Sequence, residues 1–284
     1  VVEETIFFKE KFMFTNSNWK KQILVIIIFM NLFCFQLVGQ ETEVDNDHFY
    51  FVQIADTHIG KGTNLEITQA LVKQINNLPM KLQFVIHTGD ITQNGMSDTV
   101  SVFNAIDAMN KLEAPLFYIP GNHDIFQEHV EEEINIFQEY FGDLIFVKEF
   151  EEVSFIGLYS DPLAYSFSVE NYDPFLELEK ALKTTNGKPV IVFHHIPSVE
   201  SFYNNTMHDG WENENRDRWE KTLNSYNVIA ILAGHFHSDE LHWIGEIPLY
   251  VSASVTNRFG RQPSFRIYEY KNGKLSYRTQ YETK

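Results

Sequence analysis

Residues 49–58 read FYFVQIADTH, a short apolar run that stops on a carboxylate and an imidazole two positions apart. The same construction recurs along the chain, in LQFVIHTGD (82–90), PLFYIPGNHD (115–124), PVIVFHH (189–195) and VIAILAGHFH (228–237). Apolar runs this short, without alternation, fit strands buried on both faces. Between them lie stretches of helical spacing: LEITQALVKQINNL (65–78), a segment near 98–111, EEEINIFQEYFG (131–142) stopping at Gly142, a segment near 174–184, and RDRWEKTLNSY (216–226). Strands separated by helices predict βαβ units. LIFVKEF (144–150), EEVSFIGLYS (151–160) and LAYSFSV (163–169) read as consecutive, partly antiparallel strands. The tail is β-rich, and Asn272-Gly273 marks a hairpin turn. The predicted fold is α/β: a two-sheet α/β sandwich with flanking helices, in one domain over residues 41–284.

Composition agrees with a packed domain. The chain has 284 residues, of which 44% are hydrophobic and 15% aromatic. Its formal net charge of −17 argues against a nucleic-acid partner, because an acidic surface repels the phosphate backbone. A small anionic substrate is still compatible, since bound cations reverse the field locally.

Residues 1–40 stand apart from this domain. Residues 23–39 read ILVIIIFMNLFCFQLVG, preceded by Lys20-Lys21 and followed by Gln40 and Glu41. A basic flank, an apolar stretch and a polar exit predict a secretory signal or an uncleaved membrane anchor. Met13 offers a start, which makes residues 1–12 an extension. The expected location is outside the cytoplasm: secreted, periplasmic or membrane-anchored. The single cysteine, Cys34, lies inside this run, so residues 41–284 have no disulfide and rest on their core and any metal.

The chemistry-bearing residues gather at strand exits, where open α/β sheets place their ligands. Asp56 and His58 flank Thr57, and in an extended loop such i, i+2 side chains point the same way. Asp90 follows Gly89, and its two carboxylate oxygens suit a bridge between ions. Asn122 offers a neutral carbonyl oxygen; His235 and His237 repeat the i, i+2 spacing. This oxygen and nitrogen set, without thiolate, suits Mn, Fe, Zn or Co. Singly, each member has an ordinary reading: Asp90 as a helix cap, Asn122-His123-Asp124 as a polar turn, His194 and His195 as strand-end side chains, His235 and His237 as surface residues. Their joint recurrence at five strand exits favours a metal site.

In order, these blocks resemble the calcineurin-like metallophosphoesterases: Asp-x-His, Gly-Asp, Gly-Asn-His-Asp, His, then Gly-His-x-His. The resemblance spans roughly 49–270 and looks most like the compact cyclic-nucleotide phosphodiesterase-like and purple-acid-phosphatase-like branches. It implies a four-layer sandwich and a dinuclear centre of divalent or mixed-valence ions. One ion would take Asp56, His58, Asp90 and His237; the other would take Asp90, Asn122, His195 and His235. His195 rather than His194 is chosen because it precedes Pro197 by two positions. Ile91, Thr92 and Gln93 follow Asp90, so the tyrosine of iron-binding purple acid phosphatases is missing. The resemblance also implies that a metal-bridging hydroxide attacks phosphorus. His123 would donate a proton to the leaving alkoxide, and Asp124 would orient the His123 ring. The expected substrate is a small phosphodiester, such as a cyclic nucleotide, with a phosphomonoester as the alternative; a non-enzymatic scaffold or a nuclease fits less well. Phe202, Tyr203, His208 and Trp211, in the loop 198–216, are candidates either to wall the substrate or to pack against the body. Asn204-Asn205-Thr206 forms a glycosylation sequon.

Overall fold

A computed structural model describes residues 48–150, 152–200, 208, 210–211 and 213–283. The apolar run 23–39 with Cys34, the sequon at 204–206, and Phe202 and Tyr203 lie outside the described residues. Among the described residues, no helix is long and apolar enough to cross a membrane.

The first sheet begins with three parallel strands, β1 (His48–Ile54), β2 (Leu82–Thr88) and β3 (Leu116–Ile119). Helices α1 (Asn64–Asn76) and α2 (Thr99–Met109) make the crossovers. Asp98 caps α2 by accepting from the Ser101 N–H at 3.2 Å, which satisfies one of the orphan donors at that helix end. Near the end of the chain, β10 (Ser264–Lys271) pairs antiparallel with β1, and β11 (Lys274–Tyr281) completes the order β11-β10-β1-β2-β3. Asn272 (φ 50°) and Gly273 (φ 73°) turn this hairpin, both left-handed as a two-residue turn matched to strand twist requires.

The second sheet has the order β4-β5-β6-β7-β9-β8. Its strands are β4 (Ile145–Glu149), β5 (Ser154–Leu158), β6 (Val190–Phe193), β7 (Val228–Ala233), β8 (Glu240–Ile244) and β9 (Ile247–Val251). The four inner strands run parallel and the two edges antiparallel. Helix α3 (Val130–Tyr140) precedes this sheet, α4 (Asp161–Ala164) follows β5, and α5 (Pro174–Thr184) and α6 (Asn213–Asn224) cover its outer face. Asp173 and Pro174 start α5 as a capping acid followed by a proline at the first helical position.

Four layers result, as the sequence predicts. Phe51, Phe84 and Tyr268 of the first sheet meet Phe155, Phe193 and Leu232 of the second in a shared interior. Phe155 stands edge-on to Phe51 and Phe84, with ring centroids 5.2 and 4.9 Å away. Strand alternation turns Val52 and Ile54 the other way, onto Leu71, Val72 and Ile75 of α1. Both faces of β1 are therefore covered, which is why FYFVQI shows no apolar–polar alternation; its one amide, Gln53, is buried and donates to Thr88 Oγ1 and Ala233 O.

One expected strand is absent. LAYSFSV (163–169) contains the end of the short helix α4 and then irregular chain. Pro162 opens that helix, and β5 already has a partner along each edge, so a further strand there has nothing to pair with.

Candidate metal centre

The exits of β1, β2, β3, β6 and β7 converge, so both sheets deliver side chains to one place. The loops after β1 and β2 run side by side: Asp56 N–H donates to Gly89 O and His58 N–H to Asp90 O, each at 3.0 Å. Asp56, His58, Asp90, His235 and His237 all have left-handed backbone, with φ between 42° and 68°. That conformation costs a non-glycine residue about 1 kcal/mol, and Asp and His are among the types that tolerate it. These twists replace the extended loop expected from the i, i+2 spacing. Asp56 and His58 enter one ligand group, whereas His235 and His237 enter two, as the resemblance implies.

Asp56, His58, Asp90 and His237 form one group and Asp90, His195 and His235 another, the candidate ligand atoms of each lying within 4.8 Å of one another. Asn122 Oδ1 joins the second group, 3.1 Å from His195 Nε2. All seven side chains expected to hold ions are thus brought together, and Asp90 belongs to both groups. His58 Nε2 is 3.4 Å from Asp90 Oδ2, and His195 Nε2 is 3.2 Å from Asp90 Oδ1, so one carboxylate faces one ring with each oxygen.

The set fits metal ions on several counts. His58 Nε2 and His237 Nε2 point at each other across 3.2 Å, and His237 Nε2 is 3.3 Å from Asp56 Oδ1. Ligand atoms about 2.0–2.2 Å from one cation stand roughly 3.0–3.5 Å apart, which is the spacing found. His235 Nε2 is buried without a hydrogen-bond partner, the condition an ion relieves. His195 Nδ1–H donates to Thr88 O at 2.7 Å, leaving Nε2 as the ligating nitrogen. Glycines make the close approach possible. A Cβ at Gly89 would run into the His195 ring, and one at Gly121 into Asp90.

Electrostatics point the same way. Burial raises the pKa of a carboxyl, yet His237 and then His195 outweigh it and bring Asp56 down to about 2. Asp90 is likewise held well below its usual range, with His195 and His58 outweighing burial. Burial opposes charge on His195, but Asp90 and Asp56 push it up to about 10; an ion at Nε2 takes the place of that proton. Burial brings His235 down to about 3, so its ring is neutral and ready to bind.

His123 lies beside the centre with its ring edge-on to His58, centroids 4.7 Å apart, and its backbone N–H donates to Asp90 Oδ1 at 2.8 Å. Asp124 does not orient the His123 ring, contrary to expectation. The Asp124 carboxylate accepts from the backbone N–H groups of Ile91, Thr92 and Gly121, and from the Thr92 hydroxyl, so it ties the loop after β2 to the loop after β3. Burial, with Asp90 adding to it, pushes Asp124 up to about 7 against those donors. The ring is held by Gln93 instead, whose backbone carbonyl oxygen and side-chain amide nitrogen each lie 3.0 Å from His123 Nδ1. Gln93 stands three residues beyond Asp90, in the stretch that lacks the purple-acid-phosphatase tyrosine, and its residue type carries no signal of this role.

Three further residues escaped sequence reasoning. Arg258, at the start of a short 3-10 turn (Arg258–Gly260), places Nη1 2.9 Å from His58 Nε2. No spacing rule connects it to the motifs. His87 is buried in β2 under the centre, with Nε2 3.0 Å from Thr57 Oγ1. Asp161 sits three residues beyond β5, another strand exit, and the rule that found the other five would have found it too. It is 1% exposed, neither carboxylate oxygen has a hydrogen-bond partner, and burial pushes its pKa up to about 8.

In the loop 198–216, Trp211 packs into the core and donates from Nε1 to Ile196 O at 2.8 Å. His208 reaches the centre, its ring 5.5 Å from His235 and 5.4 Å from His237. His194 is in neither ligand group. It is buried between Trp211 and Trp219, and burial brings it down to about 3.

Comparison with known proteins is consistent with this geometry. The family model described as calcineurin-like phosphoesterase matches residues 49–239. The chain is 33% identical over 199 residues to the probable glycerophosphodiester phosphodiesterase GpdQ of Arcobacter nitrofigilis, covering 66% of this chain and 71% of that protein. It is 24% identical over 245 residues to the mouse serine/threonine-protein phosphatase CPPED1, covering 75% of this chain and 77% of that one. Among solved structures, a dimetal phosphatase from Danio rerio shares the fold, with a TM-score of 0.62 at 12% identity over 83% of this chain and 97% of that one.

Proposed function

Because the chain belongs to the calcineurin-like phosphoesterase family, with all seven ligand positions inside the matched region, we propose that this dinuclear metal-dependent hydrolase acts on small phosphodiesters in preference to phosphomonoesters. When bound, two ions supply Lewis acidity toward the phosphoryl oxygens and a nucleophile drawn from water. The protein positions and protonates. Asp90, gripped by the His123 N–H, fixes the distance between the two ligand groups. His123 has Nδ1 committed to Gln93, so Nε2 is the nitrogen that gives a proton to the departing alkoxide. Arg258, whose Nη1 is 2.9 Å from His58 Nε2, would be available to a phosphoryl oxygen once that nitrogen held an ion.

The observation that carries the diester reading is the sparse positive charge. Among the described residues, Arg258 is the one side-chain cation hydrogen-bonded to the cluster. A diester brings one negative charge; a monoester brings up to two and asks for more compensation. The likeness to a glycerophosphodiester phosphodiesterase supports the same side. Rates on bis(4-nitrophenyl) phosphate and 4-nitrophenyl phosphate, measured on one metal-loaded preparation, test the reading. The diester should give the higher kcat/KM, and a clear preference for the monoester would reverse the assignment.

A further inference from the structure

A line of polar side chains crosses the apolar interior that the two sheets share. Gln53 of β1 is fully buried there, and its amide is saturated. The amide nitrogen donates to Thr88 Oγ1 of β2 at 3.0 Å and to Ala233 O of β7 at 2.9 Å, while Oε1 accepts from the Tyr268 hydroxyl at 2.9 Å. Arg266, the partner of Gln53 across the β1–β10 ladder, continues the line. Its Nη1–H donates to the Tyr268 oxygen at 3.3 Å and its Nε–H to Asp239 Oδ1 at 2.9 Å. Thr88, Tyr268 and Arg266 are as fully buried as Gln53. A buried polar network adds little to stability over a hydrocarbon core of equal volume; what this one adds is a fixed geometry.

That geometry is the placement of the loop 234–237. Ala233 O, immediately before it, is held by Gln53 of the first sheet, and Asp239, two residues beyond His237, is held by Arg266 of the same sheet. Gly234 shows how closely the sheets approach here, since a Cβ on it would lie 3.0 Å from Asp56 Oδ2 and 3.2 Å from Thr88 O. That Thr88 carbonyl is the acceptor of His195 Nδ1–H. The line therefore touches the supports of ligands from both sheets. The two ligand groups divide unequally between the sheets. The first takes Asp56, His58 and Asp90 from the first sheet and His237 alone from the second. The other takes Asp90 and Asn122 from the first sheet and His195 and His235 from the second. A shift of one sheet against the other strains this evenly divided group most.

We infer that Gln53 is a positioning residue: by bonding β7 to β1 and β2 just below the centre, it sets the spacing between the two halves of the metal site, and the second ion depends on it more than the first does. The inference rests on the reading of the site as a two-ion centre and does not use the preference for diesters.

Calorimetric titration of metal-free protein with Mn(II), alongside urea unfolding of the same samples, tests it on wild type and three variants. Gln53→Met keeps length and bulk and removes all three bonds. Tyr268→Phe removes only the hydroxyl that holds the amide. Phe84→Leu disturbs the same interior away from the line. Gln53→Met should weaken the second ion about 10–100-fold, the usual cost of disturbing the support of a ligand, and the first ion much less, so that the two binding steps shift unequally. Tyr268→Phe should do the same to a smaller degree. Phe84→Leu should lose stability and keep the ratio of the two affinities. If Gln53→Met fails to fold, Tyr268→Phe decides. An unchanged ratio in the glutamine and tyrosine variants, or the same change of ratio in Phe84→Leu, overturns the positioning role and leaves the two-ion centre standing. Uptake of a single ion by wild type overturns both.

Discussion

Asp90 and His123 divide the work of the centre at the level of single side chains. Asp90 meets a ring with each oxygen and accepts the His123 N–H as well, so its position is over-determined. His123 approaches the substrate side with one nitrogen engaged by Gln93. A proton donor matters in proportion to the basicity of the leaving group. His123→Asn should keep the fold and both ions, yet lose about 10²–10⁴-fold on an alkyl phosphodiester and much less on a nitrophenyl one. Measuring kcat/KM for both, with metal content on the same sample, checks this; equal losses at full occupancy would remove the proton-donor role. Asp124 shows how far residue types can mislead. Beside a histidine in Gly-Asn-His-Asp it reads as that ring's partner, but three backbone N–H groups are nearer to hand and hold it.

At the scale of the elements, the centre depends on how strands end. Left-handed residues turn the chain sharply after β1, β2 and β7, and small neighbours let the turns approach. Gly121 is the tightest of these positions, since any Cβ there meets Asp90. Gly121→Ala should push on both Asp90 and His195, weakening both ions and most of all the second, which uses both side chains, by about 10–100-fold, the usual cost of disturbing the support of a ligand. Calorimetric metal titration of this variant would show it, and an unchanged affinity would contradict the packing argument. The strand exits were legible in the sequence because buried strands are largely apolar runs and their ends carry D, H and N in a fixed order. The sandwich was legible for the same reason. What was not legible depends on contacts between distant segments: Arg258 against His58 across 200 positions, and Gln93 against His123. LAYSFSV was misread because alternation cannot show that β5 already has both edges paired. Asp161 was missed although it obeyed the strand-exit rule, because it lacks a motif neighbour.

Across the whole molecule, two sheets share one interior and send their exits to the same end, so the centre lies over the core and stability and function meet there. His87 shows the coupling. Burial brings its pKa from 6.5 to about 3 in the folded protein. Below pH 6.5 the unfolded chain takes a proton there that the folded one refuses, so stability is lost as pH falls from 6.5 toward 3. Urea unfolding of metal-free protein should lose roughly 1 kcal/mol less between pH 7 and 5.5 in His87→Gln than in wild type. An identical pH dependence would mean that His87 is not neutral in the fold. The claim on which the rest stands is that Asp90 serves two ions at once. Metal content after reconstitution and exhaustive desalting, for wild type and Asp90→Ala side by side, tests it most directly. The account predicts two retained ions per chain in wild type and the loss of both from the variant; an Asp90→Ala protein that keeps two tightly bound ions would contradict it.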